Sequence, residues 1–207
     1  MEVLKNIIFD LGGVLLNIDY NKTENAFKAL GYTDFKKMYS QFTADELFVK
    51  LETGRISNEN FFKLLTDAHA GEVTEQQVKD AWNSMLLSWR KESLSFLKQL
   101  SAHCKIFLLS NTNAVHQEAF NRSLKLDTGL VSIDPLFTKA YYSHIINFRK
   151  PDAAVFEYVL RDAIINPGET LFIDDSANNI KAADSLGFKT HLLGAGEKIE
   201  DLKYDIY

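Results

Sequence analysis

Apolar residues are distributed along this chain in two distinct ways. Residues 3–9, 105–109, 138–142, 170–173 and 189–193 form short, dense apolar runs bounded by polar or turn-forming residues. Runs of that length read as strands buried on both faces. Residues 92–100, 151–163 and 180–186 instead carry helical spacing, and each precedes the second, fourth or fifth run. This alternation predicts an α/β fold, a doubly wound (Rossmann-like) parallel sheet with right-handed crossovers. Gly187, directly after Leu186, predicts a helix stop leading into the last strand.

Between residues 17 and 88 the pattern changes. Helical spacing recurs over 21–30, 43–53, 57–68 and 74–87, and no segment reads as a convincing strand. Ser57-Asn58-Glu59-Asn60 and Thr74-Glu75-Gln76-Gln77 both offer helix-start signals, with a polar residue at the third following position. Tyr20, Phe27, Phe35, Tyr39, Phe42, Phe48, Phe61 and Phe62 make the segment rich in aromatics. At helical spacing such residues mainly bury area, so they predict a small helical core rather than a ligand box. The expected organisation is an α/β core of residues 1–16 and 89–207, with an α-helical cap of residues 17–88 inserted after the first strand.

Composition narrows the function classes. The chain has 207 residues, 46% hydrophobic and 25% charged, enough for a real core. A formal charge of -5 offers no field for a polyanion, so no nucleic-acid partner is expected. The lone cysteine, Cys104, excludes an internal disulfide, fits a reducing compartment and reads as apolar filler. No apolar stretch reaches membrane-spanning length, and the N-terminus carries no signal-peptide pattern. A cytoplasmic protein with no membrane partner, monomeric or homodimeric, is the expectation.

Four polar constellations fall at the expected strand ends. Asp10 with Gly12 and Gly13 follows the first run, and Ser110-Asn111-Thr112-Asn113 ends the second. Lys150-Pro151-Asp152 opens a helix, with proline expected at its first position, and Asp174-Asp175-Ser176-Ala177-Asn178-Asn179 ends the fourth run. Alone, each is compatible with capping or turn chemistry. Together they would meet at the carboxyl end of one parallel sheet, where open α/β folds place ligands. Like charges on Asp10, Asp174 and Asp175 would repel by about 4 kcal/mol per pair at ~4 Å and an effective dielectric near 20. Such a site requires protons or a cation, and oxygen-only ligands with open positions favour Mg²⁺. Ser110 and the Asn111 amide offer donors to phosphate oxygens, Lys150 a point charge, and Asp10 a nucleophile for phosphorus.

With these motifs the chain resembles the haloacid dehalogenase superfamily, in its phosphatase branch with a helical cap, similar to bacterial sugar-phosphate phosphatases. The motifs are Asp10-Leu11-Gly12-Gly13-Val14, Ser110-Asn111, Lys150-Pro151-Asp152, and Asp174-Asp175-Ser176 with Asn179. The resemblance implies attack by Asp10 on a small phosphorylated metabolite and Mg²⁺ held by Asp10, the Gly12 carbonyl and Asp175, with Asp174 a further candidate. It implies a phosphate cradle of Ser110, Asn111 and Lys150, and support of the metal loop by Ser176 and Asn179.

One position departs from the pattern. Most phosphatases of this resemblance carry an acid–base aspartate where Gly12 stands, a group worth typically 10²–10⁴-fold. Three readings follow: a substrate whose leaving group needs little help, a proton supplied by Asp19 or by the substrate, or a chain that binds without catalysis. A dehalogenase is disfavoured by Asp174-Asp175, which attack on carbon would not need, and a phosphomutase by Gly12. Asn113, His116, Ser143, His144 and Arg55 are additional candidates to face substrate. The five histidines show no zinc-ligand spacing. The tail, residues 200–207, reads as packing on the sheet edge or on a neighbour.

Overall fold

The computed structural model describes residues 4–32, 35, 46–67, 69 and 71–204. Five strands make a wholly parallel sheet: β1 (Asn6–Phe9), β4 (Lys105–Ser110), β5 (Lys139–Tyr142), β6 (Thr170–Asp174) and β7 (Lys189–Leu192), in the order β5-β4-β1-β6-β7. All four residues of β1 are buried, because β1 is the central strand and both faces are covered. Ile7 lies opposite Ile106 of β4 and Leu171 of β6, which brings the carboxyl ends of the three strands level. The expected α/β sheet is therefore present, with its five strands in the expected places; Val3 lies outside the described residues.

Chain order reverses at β1, since β4 and β6 lie on either side of it. The crevice above that reversal is where a parallel sheet leaves room for a ligand. One face of the sheet packs a cluster that includes Ile7, Phe9, Leu97 and Leu124, and the other a cluster that includes Ile8, Phe107, Phe156 and Phe172.

The segment after β1 holds the helices α1 (Tyr20–Ala29), α2 (Glu46–Glu52), α3 (Asn58–Asp67) and α4 (Glu75–Asn83). Their aromatic faces meet in a cluster of their own: Phe27, Phe35, Phe48, Phe61, Phe62 and Trp82 are fully buried or nearly so. The expected helical core thus exists; Tyr39, Phe42, Thr43 and Ala68 lie outside the described residues.

Two expectations are corrected here. The chain enters and leaves this helical insert through short strands, β2 (Leu16–Ile18) and β3 (Leu86–Trp89), paired antiparallel with Leu16 opposite Trp89. Three- and four-residue strands are too short to show a period, and β3 begins inside the span 74–87 expected to be a helix, whereas the helix itself ends at Asn83. The sequence pattern also assigns nothing to residues 114–128, where α6 (Ala114–Thr128) runs after α5 (Lys91–Leu100). This helix buries only four residues, one of them His116, so its apolar stripe is thin.

The tail packs on the core, where the Tyr204 hydroxyl donates to the Ile199 carbonyl at 2.7 Å and its ring lies 5.7 Å from Phe96 of α5. Residues 205–207 lie outside the described residues. No helix among the described residues is long and apolar enough to cross a membrane.

Candidate active site

Asp10 is the first residue beyond β1, and its N–H still donates to the Ile173 carbonyl of β6 at 2.9 Å. The carboxylate is therefore fixed at the mouth of the crevice. The chain then turns sharply, and Gly13 takes φ +72°. A Cβ on Gly13 would stand 2.1 Å from Asp175 Oδ2, so only glycine admits the Asp175 carboxylate here. Gly12 is different, since a Cβ there would meet the Ile18 Cδ1 methyl at 2.9 Å.

Lys150 is the electrostatic hub. Its side chain is 1% exposed, with Nζ 2.7 Å from Asp10 Oδ1 and 2.6 Å from Asp174 Oδ2. Asp174 is completely buried, and its other contacts are the Ser176 N–H at 2.8 Å and the Asn179 amide at 3.0 Å. Every oxygen of Asp174 is thus engaged, and a buried carboxylate is tolerated only when satisfied in this way. Asn111 holds the lysine from behind, with its amide donating to the Lys150 carbonyl at 2.8 Å and accepting the Lys150 N–H at 2.9 Å.

Ligand oxygens of Asp10, Asp174 and Asp175 all lie within 4.8 Å of one another. Burial raises the Asp10 carboxyl well above its usual range; Lys150 offsets part of this, while Asp174 and Asp175 add to it. Burial, then the Asp174 charge, likewise raises Asp175, to about 6. Burial opposes the Lys150 charge, but Asp10 and Asp174 outweigh it and the ammonium is held. Three crowded carboxylates facing one ammonium leave an excess of negative charge, and an all-oxygen donor set suits a hard divalent cation.

These groups open onto a cavity of about 180 Å³. Asp10, Gly12, Ser110, Asn111, Lys150, Asp175, Ser176 and Asn179 line it, and Asp174 stands behind them. Of the additional candidates, His116 lines the cavity, whereas Asn113, Ser143, His144 and Arg55 are not among its lining residues. Asn113 caps α6 through the His116 N–H, and Ser143 bonds the main chain of Thr112 on both sides. Asp19 caps α1 and is also absent from the lining. Pro151 precedes rather than opens its helix, α8 (Ala153–Ala163), if the single turn Ser143–Ile146 is counted as α7.

Tyr20, expected only as part of the helical core, lines the cavity as well, and so do Glu52 and Arg149, which no motif marks. Glu52 ends α2 and is buried, yet its carboxylate meets Arg149 Nη2 of the core at 3.1 Å. Beside this pair, the Asn147 amide donates to the Thr53 carbonyl at 2.8 Å. Only packing of the insert on the core brings such distant residues together, and no local spacing signals it.

This fold and carboxylate–lysine site are those of a phosphoryl-transfer type of hydrolase, and comparison with known proteins places the chain. A family model for haloacid dehalogenase-like hydrolases matches residues 4–187. The chain belongs to that family. A D-ribitol-5-phosphate phosphatase of Bacteroides thetaiotaomicron is 31% identical over 188 residues, 91% of each chain. Among solved structures, a haloacid dehalogenase family enzyme from the same organism, an aspartate-to-alanine variant in complex with magnesium and inorganic phosphate, is similar at TM-score 0.88. It is 32% identical, covering 95% of this chain and 96% of that one. A family hydrolase from Porphyromonas gingivalis is 35% identical, at TM-score 0.85 over 94% of this chain and 93% of that one.

Proposed function

We propose that this chain is a Mg²⁺-dependent phosphatase acting on a small phosphorylated metabolite, a sugar or sugar-alcohol phosphate. The observation that carries the reading is Lys150, buried between Asp10 and Asp174 at the carboxyl ends of the central strands. That arrangement pairs a carboxylate nucleophile with a fixed cation for phosphate oxygens in one cavity. The similarity to a D-ribitol-5-phosphate phosphatase supports both the reaction and the substrate class.

In this reading Asp10 attacks phosphorus, while Lys150 and the Ser110 hydroxyl bind the phosphate oxygens. Asn111 acts through the main chain of Lys150, which it clamps, as well as lining the cavity. Asp10, the Gly12 carbonyl and Asp175 would hold Mg²⁺, with Asp174, Ser176 and Asn179 anchoring the loop that presents Asp175. The bound ion would supply charge stabilisation at the phosphoryl oxygens. Residues 17–88 serve as the cap, closing the cavity against bulk water. Magnesium in complexes of similar enzymes supports this choice of ion.

The test is hydrolysis of p-nitrophenyl phosphate with Mg²⁺ and with EDTA, beside a panel of sugar and sugar-alcohol phosphates. Release is expected to require Mg²⁺ and to vanish in Asp10→Asn without loss of the folded state. Folded protein that binds Mg²⁺ yet releases no phosphate from any substrate would instead be a phosphate-binding protein.

A further inference from the structure

In-line attack by Asp10 puts the leaving oxygen on the far side of phosphorus from its carboxylate. Asp10 stands at the end of the sheet, so that far side faces the insert, which lines the cavity with Tyr20, Glu52, Met85 and Leu86. Charge develops there as the bond to phosphorus breaks, and something must stabilise it. Gly12 offers no side chain, and the space beside it is taken by Ile18. Asp19 is a helix cap outside the cavity. The Tyr20 phenol is raised far above its ordinary range, first by burial and then by the charge of Glu52, so it is no acid for the leaving group. As a neutral donor it stabilises an alkoxide less than a cation does, and it is engaged elsewhere. Glu52 is itself engaged with Arg149.

Arg149 remains. It lines the cavity next to Lys150, and its side chain is 23% exposed. Glu52 holds one end of the guanidinium through Nη2, while the buried Nε–H has no hydrogen-bond partner among the described residues. A buried donor without a partner is costly in a native site, so a small shift of the guanidinium that lets a ligand oxygen reach it would be favourable. We propose that Arg149 is a catalytic residue that donates to the leaving oxygen, in the place where Gly12 provides no acid. This rests on the phosphatase reading above.

Arginine stays charged throughout, so it stabilises the alkoxide without giving up a proton. As the ester bond breaks, its electron pair stays on the leaving oxygen, which takes a proton from water. The hydroxide so formed attacks the aspartyl-phosphate, releasing phosphate and returning the electron pair to Asp10. Glu52 is the positioning residue, and because it belongs to the insert, Arg149 is oriented only when the insert is docked.

The experiment compares wild type, Arg149→Met, Arg149→Lys and Glu52→Gln on p-nitrophenyl phosphate, n-butyl phosphate and ribitol 5-phosphate. The loss in kcat is expected to grow with the basicity of the leaving group. For Arg149→Met it should be about threefold on the aryl ester and about 10²-fold on both alkyl esters, the size seen when an oxyanion donor is removed. Glu52→Gln should show the same gradient with a smaller loss, and Arg149→Lys should recover part of it. If Arg149→Met does not fold, these two variants carry the test. Equal losses on all three substrates would overturn the proposal in favour of a structural contact. A rise in KM confined to ribitol 5-phosphate would overturn it in favour of recognition of substrate hydroxyls. Wild-type protein inactive on every substrate would instead remove the phosphatase reading itself, before any variant is compared.

Discussion

Gly13 shows how a residue without a side chain organises a charged site. Its φ of +72° is costly for any L-residue, by roughly 1–2 kcal/mol. The larger obstacle is contact, because a methyl there would overlap the Asp175 carboxylate. Gly13→Ala is therefore expected to push Asp175 out of the acidic cluster and to weaken Mg²⁺ binding by about 10–100-fold, the range typical when the shell around a metal is disturbed. Isothermal titration with Mg²⁺ measures this directly, and unchanged affinity would remove Asp175 from the proposed ligand set. Gly12 is under a milder constraint, since the atom nearest an added Cβ is the mobile end of Ile18. The two neighbouring glycines thus do different work, which the bare doublet in the sequence does not reveal.

At the scale of elements, the insert shows which local signals are self-sufficient. Thr74 and Gln77 form a reciprocal capping box at the start of α4, with the Gln77 side chain accepting the Thr74 N–H at 2.9 Å. That start is legible in the sequence because a capping box involves only residues within one turn. Thr74→Ala should cost about 1 kcal/mol and lower Tm by roughly 2–4 °C, with kcat unchanged. A melting curve beside a p-nitrophenyl phosphate assay tests both halves, and a fall in kcat would tie α4 to the chemistry. The other end of α4 is not legible in this way. Met85 and Leu86 continue an apolar pattern, but the chain leaves the helix to pair β3 with β2, and Arg90 Nε reaches back to Asn17 Oδ1 at 2.9 Å. A long-range partner overrides helical spacing there.

In the whole molecule, the insert is joined to the core through a histidine as well as through Glu52 and Arg149. His116 of α6 stacks on Trp82 of α4, with ring centroids 4.7 Å apart, and its Nε2 lies 3.1 Å from the Trp82 carbonyl. A carbonyl only accepts, so Nε2 carries the proton. Burial pushes the imidazole down to about 4. Above its unfolded value of 6.5 the ring is neutral in both states and adds no pH dependence. Between pH 6.5 and 4 the unfolded chain binds a proton that the folded chain refuses, so stability falls as pH falls, by up to about 3 kcal/mol in total. Urea midpoints measured across that window should drop more steeply for wild type than for His116→Gln. Parallel curves would mean that the ring is not buried neutral at this joint.

The α/β class, the five strands of the parallel sheet, a helical insert with an aromatic core, and the four motifs that line or back one cavity are all legible in the order of residues. Those features rest on local chemistry: dense apolar runs, helical spacing, caps, and acids or amides at strand ends. How these groups are shared emerges only once the elements pack. Asp174 and Asp175 are adjacent and alike in sequence, yet one is sealed against Lys150 and the other faces the cavity. Asn111 grips the lysine's main chain. Glu52 and Tyr20 reach the cavity, and Glu52 meets Arg149, only because the insert folds back over the sheet, with two paired linkers at its base. The physical reason is range: spacing along the chain encodes contacts within a few residues, while burial and charge pairing depend on every element that packs around a group.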